Sequence, residues 1–189
     1  MDYITLSKDS VNFTEDEFFN FCVQNRDLRI ERDSNLNIIL MSPTGNITSN
    51  QNFSIYLKLG FWNEKHGLGY TFESNSGFML PNKSMRSPDV AWIKKERWEK
   101  LPLEEKKKFT HICPDFIIEL KSESDSLPQL KDKMQEWMKN GCRLAWLINP
   151  EKRITIIYRP KGKPEEVSFD KKLSGEEVLP GFELDLKEL

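Results

Sequence analysis

Two apolar runs and the stretch between them constrain this chain most. Phe116-Ile117-Ile118-Glu119-Leu120-Lys121 has the composition of a buried strand, and Leu144-Ala145-Trp146-Leu147-Ile148 is a second such run, ended by Asn149-Pro150. Between them Leu127, Leu130, Met134, Trp137 and Met138 recur at helical spacing, and Gly141 stops the helix. Strand, helix, strand in that order implies a right-handed crossover between parallel neighbours. Hairpin signals lie on both sides, so the expected class is α/β: a mixed β-sheet flanked by helices.

The rest of the chain fits that frame. Thr14 with Glu17 reads as a capping box opening a helix that ends near Asn25. Arg29–Arg32 and Asn37–Met41 read as two short strands around a polar turn. A second helix is expected from about Thr48 to Lys65, and its apolar residues on several faces predict that it is largely buried. Strands are expected around Tyr70–Leu80 and from Asp89 to Ile93. Lys94–Lys108 reads as a charged surface excursion, and Ile154–Tyr158 as a hairpin partner. A chain of 189 residues suits one domain, 1–189, with a core over about 14–158 and a β-rich C-terminal extension over 159–189.

Composition excludes several classes. The net charge of -2 rules out a uniformly basic nucleic-acid glove, so any such contact needs a local patch. No apolar run approaches the ~18 residues of a membrane span. Three scattered cysteines give no disulfide framework. The first residues lack a basic start followed by an apolar stretch, so a cytoplasmic setting is expected. His111 and Cys113 form a lone pair without a zinc-spaced partner.

Chemistry concentrates in two places. Pro88-Asp89 opens one strand, and Glu119-Leu120-Lys121 closes another. Alternation puts Glu119 and Lys121 on one face. Charges at the end of a core strand need a partner or a metal. As a functional group, Asp89 and Glu119 offer hard oxygen ligands to Mg²⁺, with Mn²⁺ as a possible substitute and the Leu120 carbonyl as a third ligand. Lys121 then lies beside an attacking water, in a phosphodiester hydrolase. The same residues also suit a strand-end ion pair with Asp89 as a turn cap, and spacing alone does not separate the two. Lys133, on the flank of the crossover helix, could reach a phosphate near Glu119. Lys131 and Lys139 nearby favour an ordinary solvated lysine instead. Ser122, Ser124 and Asp125 read as a cap for that helix.

Four motifs carry a resemblance: Ser87-Pro88-Asp89-Val90-Ala91-Trp92, Pro114-Asp115-Phe116-Ile117-Ile118-Glu119, Ser122-Glu123-Ser124-Asp125, and Gly141 through Pro150. In this order they resemble the Uma-type restriction endonuclease family of the PD-(D/E)xK nuclease superfamily, over about Thr14 to Tyr158. The resemblance implies a restriction-endonuclease-like core in a single domain, a Mg²⁺ site at Asp89, Glu119 and Lys121, DNA as partner, and a possible homodimer. It also draws in Glu31, because Arg29-Ile30-Glu31 and the following strand are similar to the family's N-terminal acidic motif. Thr48 and Ser49 stand where members often carry a histidine, whereas Lys121 keeps a lysine many members replace. The other function these features allow is a catalytically inactive nuclease-fold protein that binds nucleic acid or a protein partner.

Overall fold

Apolar residues dominate the two central strands, and both are buried on each face, as a parallel pair covered on both sides requires. The computed structural model describes residues 3–187 and 189. In chain order its elements are β1 (Tyr3–Leu6), α1 (Glu15–Gln24), β2 (Arg29–Arg32), β3 (Ile38–Met41), α2 (Asn46–His66), β4 (Gly69–Glu73), β5 (Phe78–Met79), β6 (Met85–Arg86) and β7 (Val90–Lys94). They continue as α3 (Lys95–Glu99), α4 (Leu103–Lys106), β8 (Phe116–Leu120), α5 (Leu127–Lys139), β9 (Leu144–Asn149), β10 (Ile154–Tyr158), β11 (Glu165–Ser168), β12 (Leu173–Ser174) and β13 (Glu183–Leu184).

The main sheet runs β11-β10-β9-β8-β7-β4, with β8 and β9 parallel and the other pairs antiparallel. α5 makes the crossover between β8 and β9, as the apolar periodicity requires. A second, smaller sheet, β1-β3-β2-β6-β5, shares no strand with it, and a β12-β13 pair lies near the C-terminus. The first strand, β1, carries no pattern that sequence reading detected. α1 has the expected capping box, with Thr14 accepting from the Glu17 N–H and Glu17 reaching back to Thr14.

Alternation divides the core. One face of the main sheet packs Val90, Trp92, Phe116, Ile118, Leu144 and Trp146 against α2 and the C-terminal segment. The other packs Ala91, Ile93, Ile117, Ala145 and Leu147 against Met134 and Trp137 of α5. Residues 159–189 contribute Phe169, Leu173, Leu179, Phe182 and Leu184 to the first face, so this segment completes the core there.

α2 is a correction to expectation. Only Ile55, Leu59 and Trp62 are buried, while Phe53 and Phe61 are each 61% exposed. The apolar residues on several faces do not signal all-round burial; half of them face water. Trp98 packs on Phe72 and Tyr70 as an anchor of the charged excursion. Asp115 is likewise structural: it accepts from the Lys94 N–H and pairs with Arg97.

Candidate active site

The site lies where the two sheets meet, because the chain crosses between them at residues 85–90. Met85 pairs with Arg32 in the small sheet, and five residues later Val90 pairs with Ile118 in the main one. Asp89 and Glu119 stand one step beyond that last antiparallel pair. Continuing the register sets them opposite each other, on the face that α5 covers. The Asp89 carboxylate substitutes for the missing strand: Oδ2 accepts from the Leu120 N–H at 2.8 Å. Its Oδ1 lies 3.6 Å from Arg29 Nη2.

From the small sheet, Arg29 and Glu31 share one face of β2 and point into the same cleft. Glu31 accepts from the Ser87 N–H at 3.0 Å and pairs with Arg86 at 2.9 Å. Arg86 in turn donates to Glu136 of α5 at 2.6 Å. Asn82 donates to the other Glu136 oxygen at 2.7 Å.

Lys133 closes the group. Its Nζ lies 2.8 Å from Glu31 Oε1 and 2.9 Å from Glu119 Oε1. The same Glu119 oxygen accepts from Trp137 Nε1 at 3.3 Å. Lys133 is therefore not the solvated lysine its neighbours suggested; its side chain is 14% exposed. Lys131 and Lys139 misled because a residue on the flank of an apolar stripe can turn under the helix when a buried acid waits there.

Lys121 is placed elsewhere. Its N–H still bonds the Ile148 carbonyl of β9 at 2.9 Å, yet its ammonium leaves the cleft. Lys121 turns instead to the Ser122 carbonyl at 2.9 Å and to Glu151 at 3.3 Å. It is absent from the cleft lining, whereas Arg29, Glu31, Asp89, Glu119, Leu120 and Lys133 all belong to it. The cleft encloses about 440 Å³ and opens to solvent. Asp125 accepts from the Ser122 N–H and hydroxyl, and tightens the loop below it; the cap position of α5 is Ser126.

The electrostatics follow from burial. Desolvation, helped by Asp89 and Glu31 and opposed by Lys133, raises the Glu119 carboxyl to about 7. Glu31 is equally buried, yet Lys133, Arg86 and the Ser87 N–H outweigh desolvation and hold it down at about 2. Lys133 is desolvated too, but the two glutamates keep its ammonium charged well above the usual range. Among the described residues, no group of three or more His, Cys, Asp or Glu is arranged to hold a metal ion. A cation here would rest on two carboxylates, the remainder of its shell being water, which is the habit of Mg²⁺.

The family-model match spans residues 15–187 and carries the description "Uma2: Putative restriction endonuclease". The chain belongs to the Uma2 family. Membership supports nuclease function in general, for a class of folds that generally uses divalent metals and acts on nucleic acid. Among solved structures, the chain is similar to the crystal structure of "a putative nuclease belonging to DUF820" from Anabaena variabilis ATCC 29413. The TM-score is 0.75 at 19% identity, over 93% of this chain and 96% of that one, which shows the shared fold. Comparison with curated proteins finds no matching sequence. No helix among the described residues is long and apolar enough to cross a membrane.

Of the residues that sequence reading placed at the site, the cleft brings together Asp89, Glu119, Leu120 and Glu31 and leaves out Lys121. Sequence reading missed Arg29, Arg86 and Glu136. A signal for part of this existed: Lys133, Glu136 and Trp137 are spaced to surround one position on the inner side of α5.

Proposed function

We propose that this member of the Uma2 family is a divalent-metal-dependent endonuclease that hydrolyses phosphodiester bonds in DNA. The observation that carries the reading is Lys133, whose buried ammonium bridges Glu31 and Glu119 in the cleft that Asp89 also lines. Asp89 and Glu119 fit Mg²⁺, or Mn²⁺ in its place: both are hard oxygen donors on one face, and Glu119 is a buried carboxyl whose charge lacks full compensation. The Leu120 carbonyl is a further candidate ligand. When bound, the metal supplies Lewis-acid polarisation of the phosphate and a more acidic water.

The protein's own groups divide the remaining work. Lys133 stays protonated, so it acts as a charge and hydrogen-bond donor and not as a base. From beside Glu119 it offsets the negative charge that builds on the attacked phosphate. Glu31 and Glu136 act through other cations as positioning residues: Glu31 holds Lys133, and Glu136 holds Arg86 against Glu31. Arg29 neutralises Asp89 from the outer side and faces the incoming backbone. Lys121, paired with Glu151, takes no part.

The test combines cleavage and binding. Plasmid DNA is expected to be nicked or cut with Mg²⁺ or Mn²⁺ and to stay intact with a chelator. Calorimetry is expected to show Mg²⁺ or Mn²⁺ binding that Glu119→Ala removes. No cleavage of duplex or single-stranded DNA, together with no such binding, would leave an inactive nuclease-fold scaffold whose charged cluster is purely structural.

A further inference from the structure

Beside the cleft lies a second concavity of about 390 Å³, within the size range of small-ligand sites, and none of the hydrolytic groups just assigned needs it. The two share Arg29, Met41, Thr44, Asn52 and Asp89, so they form one continuous path along α2. Its lining has a distinct chemistry. Phe53 presents an aromatic side chain to it and is 61% exposed. Tyr56, one turn of α2 away, adds a second aromatic side chain. The Asn52 carbonyl oxygen, Oδ1, is buried and has no hydrogen-bond partner, although buried polar atoms almost always find one. Asp27 and Glu73 add carboxylate acceptors.

Arg29 and the hydroxyls of Thr44, Ser49 and Ser74 can serve a phosphate backbone, whereas the aromatic surface and the two carboxylates cannot. The latter suit a flat ring carrying N–H groups on its edge. A nucleobase has that form, and it can stack on an aromatic side chain once it leaves its own helix. Arg29 lies between the two concavities, bonded to Thr44 at 3.2 Å, where the backbone joining such a base to the cleft would pass.

We infer that this second concavity receives one unstacked nucleobase from the strand whose phosphate lies across Asp89 and Glu119. The preferred substrate is then nucleic acid with an unpaired nucleotide near the scissile phosphate: single-stranded, mismatched or bulged, and not continuous duplex. The strand's path rests on the hydrolase reading of the cleft; the base pocket stands on its own lining.

The experiment measures binding with Ca²⁺ in place of Mg²⁺, so that cleavage plays no part. Fluorescein-labelled DNA oligonucleotides are titrated as single strand, as perfect duplex and as duplex with a one-base bulge. Single-stranded and bulged DNA are expected to bind about tenfold or more tighter than perfect duplex. Phe53→Ala is expected to remove most of that margin, as the loss of one base–aromatic stack does, and Asn52→Leu to reduce it. Phe61→Ala, on the same exposed side of α2 but outside the concavity, is expected to change nothing. A 2-aminopurine at the bulge is expected to change its fluorescence on binding to the natural protein but not to Phe53→Ala.

Equal affinity for bulged and perfect duplex would overturn the inference, as would no binding of any oligonucleotide. Equal effects of Phe53→Ala and Phe61→Ala would overturn it too, and would assign the exposed stripe to a protein contact. The two readings fail separately. Base-dependent binding without cleavage in Mg²⁺ would sink the hydrolase and keep the pocket. Cleavage without base preference would sink the pocket and keep the hydrolase.

Discussion

Lys133 reaches out of α5 to place its ammonium 2.9 Å from Glu119, a residue 14 positions earlier in the chain and on the strand that α5 covers. This contact puts a cation at the end of a core strand where the E-x-K spacing had pointed to Lys121. It also ties the crossover helix to the small sheet, since the same ammonium holds Glu31.

The charge state of Glu119 should be visible in stability. Its carboxyl lies at about 7 in the folded protein, against an ordinary value of 4.5. Between those values the unfolded chain releases a proton that the native state keeps. Stability from this group is therefore complete below about 4.5 and lost as pH rises through 7. In chelator-containing buffer, Glu119→Gln is expected to gain on the natural protein from pH 5 to pH 8, by on the order of 1–3 kcal/mol. Urea midpoints across that range measure it; a difference independent of pH would contradict the raised carboxyl.

Glu31 has the opposite sign. Held at about 2, it contributes stability that is present above 4.5 and lost as pH falls toward 2. Glu31→Gln is expected to be less stable than the natural protein at pH 7, by about 1–3 kcal/mol, with the gap closing in acid. Paired urea melts at pH 7 and pH 3 check this.

Trp137 is fully buried and also donates to Glu119. Trp137→Ala is expected to cost about 3–5 kcal/mol, the range of large core truncations. Trp137→Phe keeps most of the volume and is expected to cost less than half of that. A loss below about 1 kcal/mol for the alanine variant would show that α5 does not depend on this side chain.

Asp89 raises the Glu119 carboxyl by repulsion. Asp89→Asn is expected to lower the Glu119 titration midpoint, followed by carboxyl ¹³C chemical shift, while abolishing metal-dependent cleavage. An unchanged midpoint would mean that the two carboxylates are not coupled.

Much of this was legible in the sequence, for identifiable reasons. Phe116–Leu120, Leu144–Asn149 and the stripe Leu130, Met134, Trp137 report burial directly, because apolar periodicity is what packs a crossover. Pro88-Asp89 and Glu119 report the site, because a carboxylate at the end of a buried strand has no packing value. The lysine was not legible. Alternation sets Lys121 beside Glu119, but its long side chain turns to the Ser122 carbonyl and Glu151 instead. Arg86 and Glu136 were hidden for another reason: they meet only because residues 85–90 pass from one sheet to the other beneath α5. The exposed Phe53 and Phe61 show the converse: apolar content alone does not report burial.

The most direct test compares two lysines in one cleavage assay. Lys133→Gln and Lys121→Gln are assayed on plasmid DNA with Mg²⁺ and with Mn²⁺, after circular dichroism shows that both are folded. Lys133→Gln is expected to lower the cleavage rate by about a hundredfold or more, the usual scale for losing one group that stabilises transition-state charge. Lys121→Gln is expected to stay within about threefold of the natural protein, since its ammonium pairs with Glu151 and does not line the cleft. The reverse order, with Lys121→Gln inactive and Lys133→Gln active, would contradict the assignment and return the catalytic lysine to the end of β8.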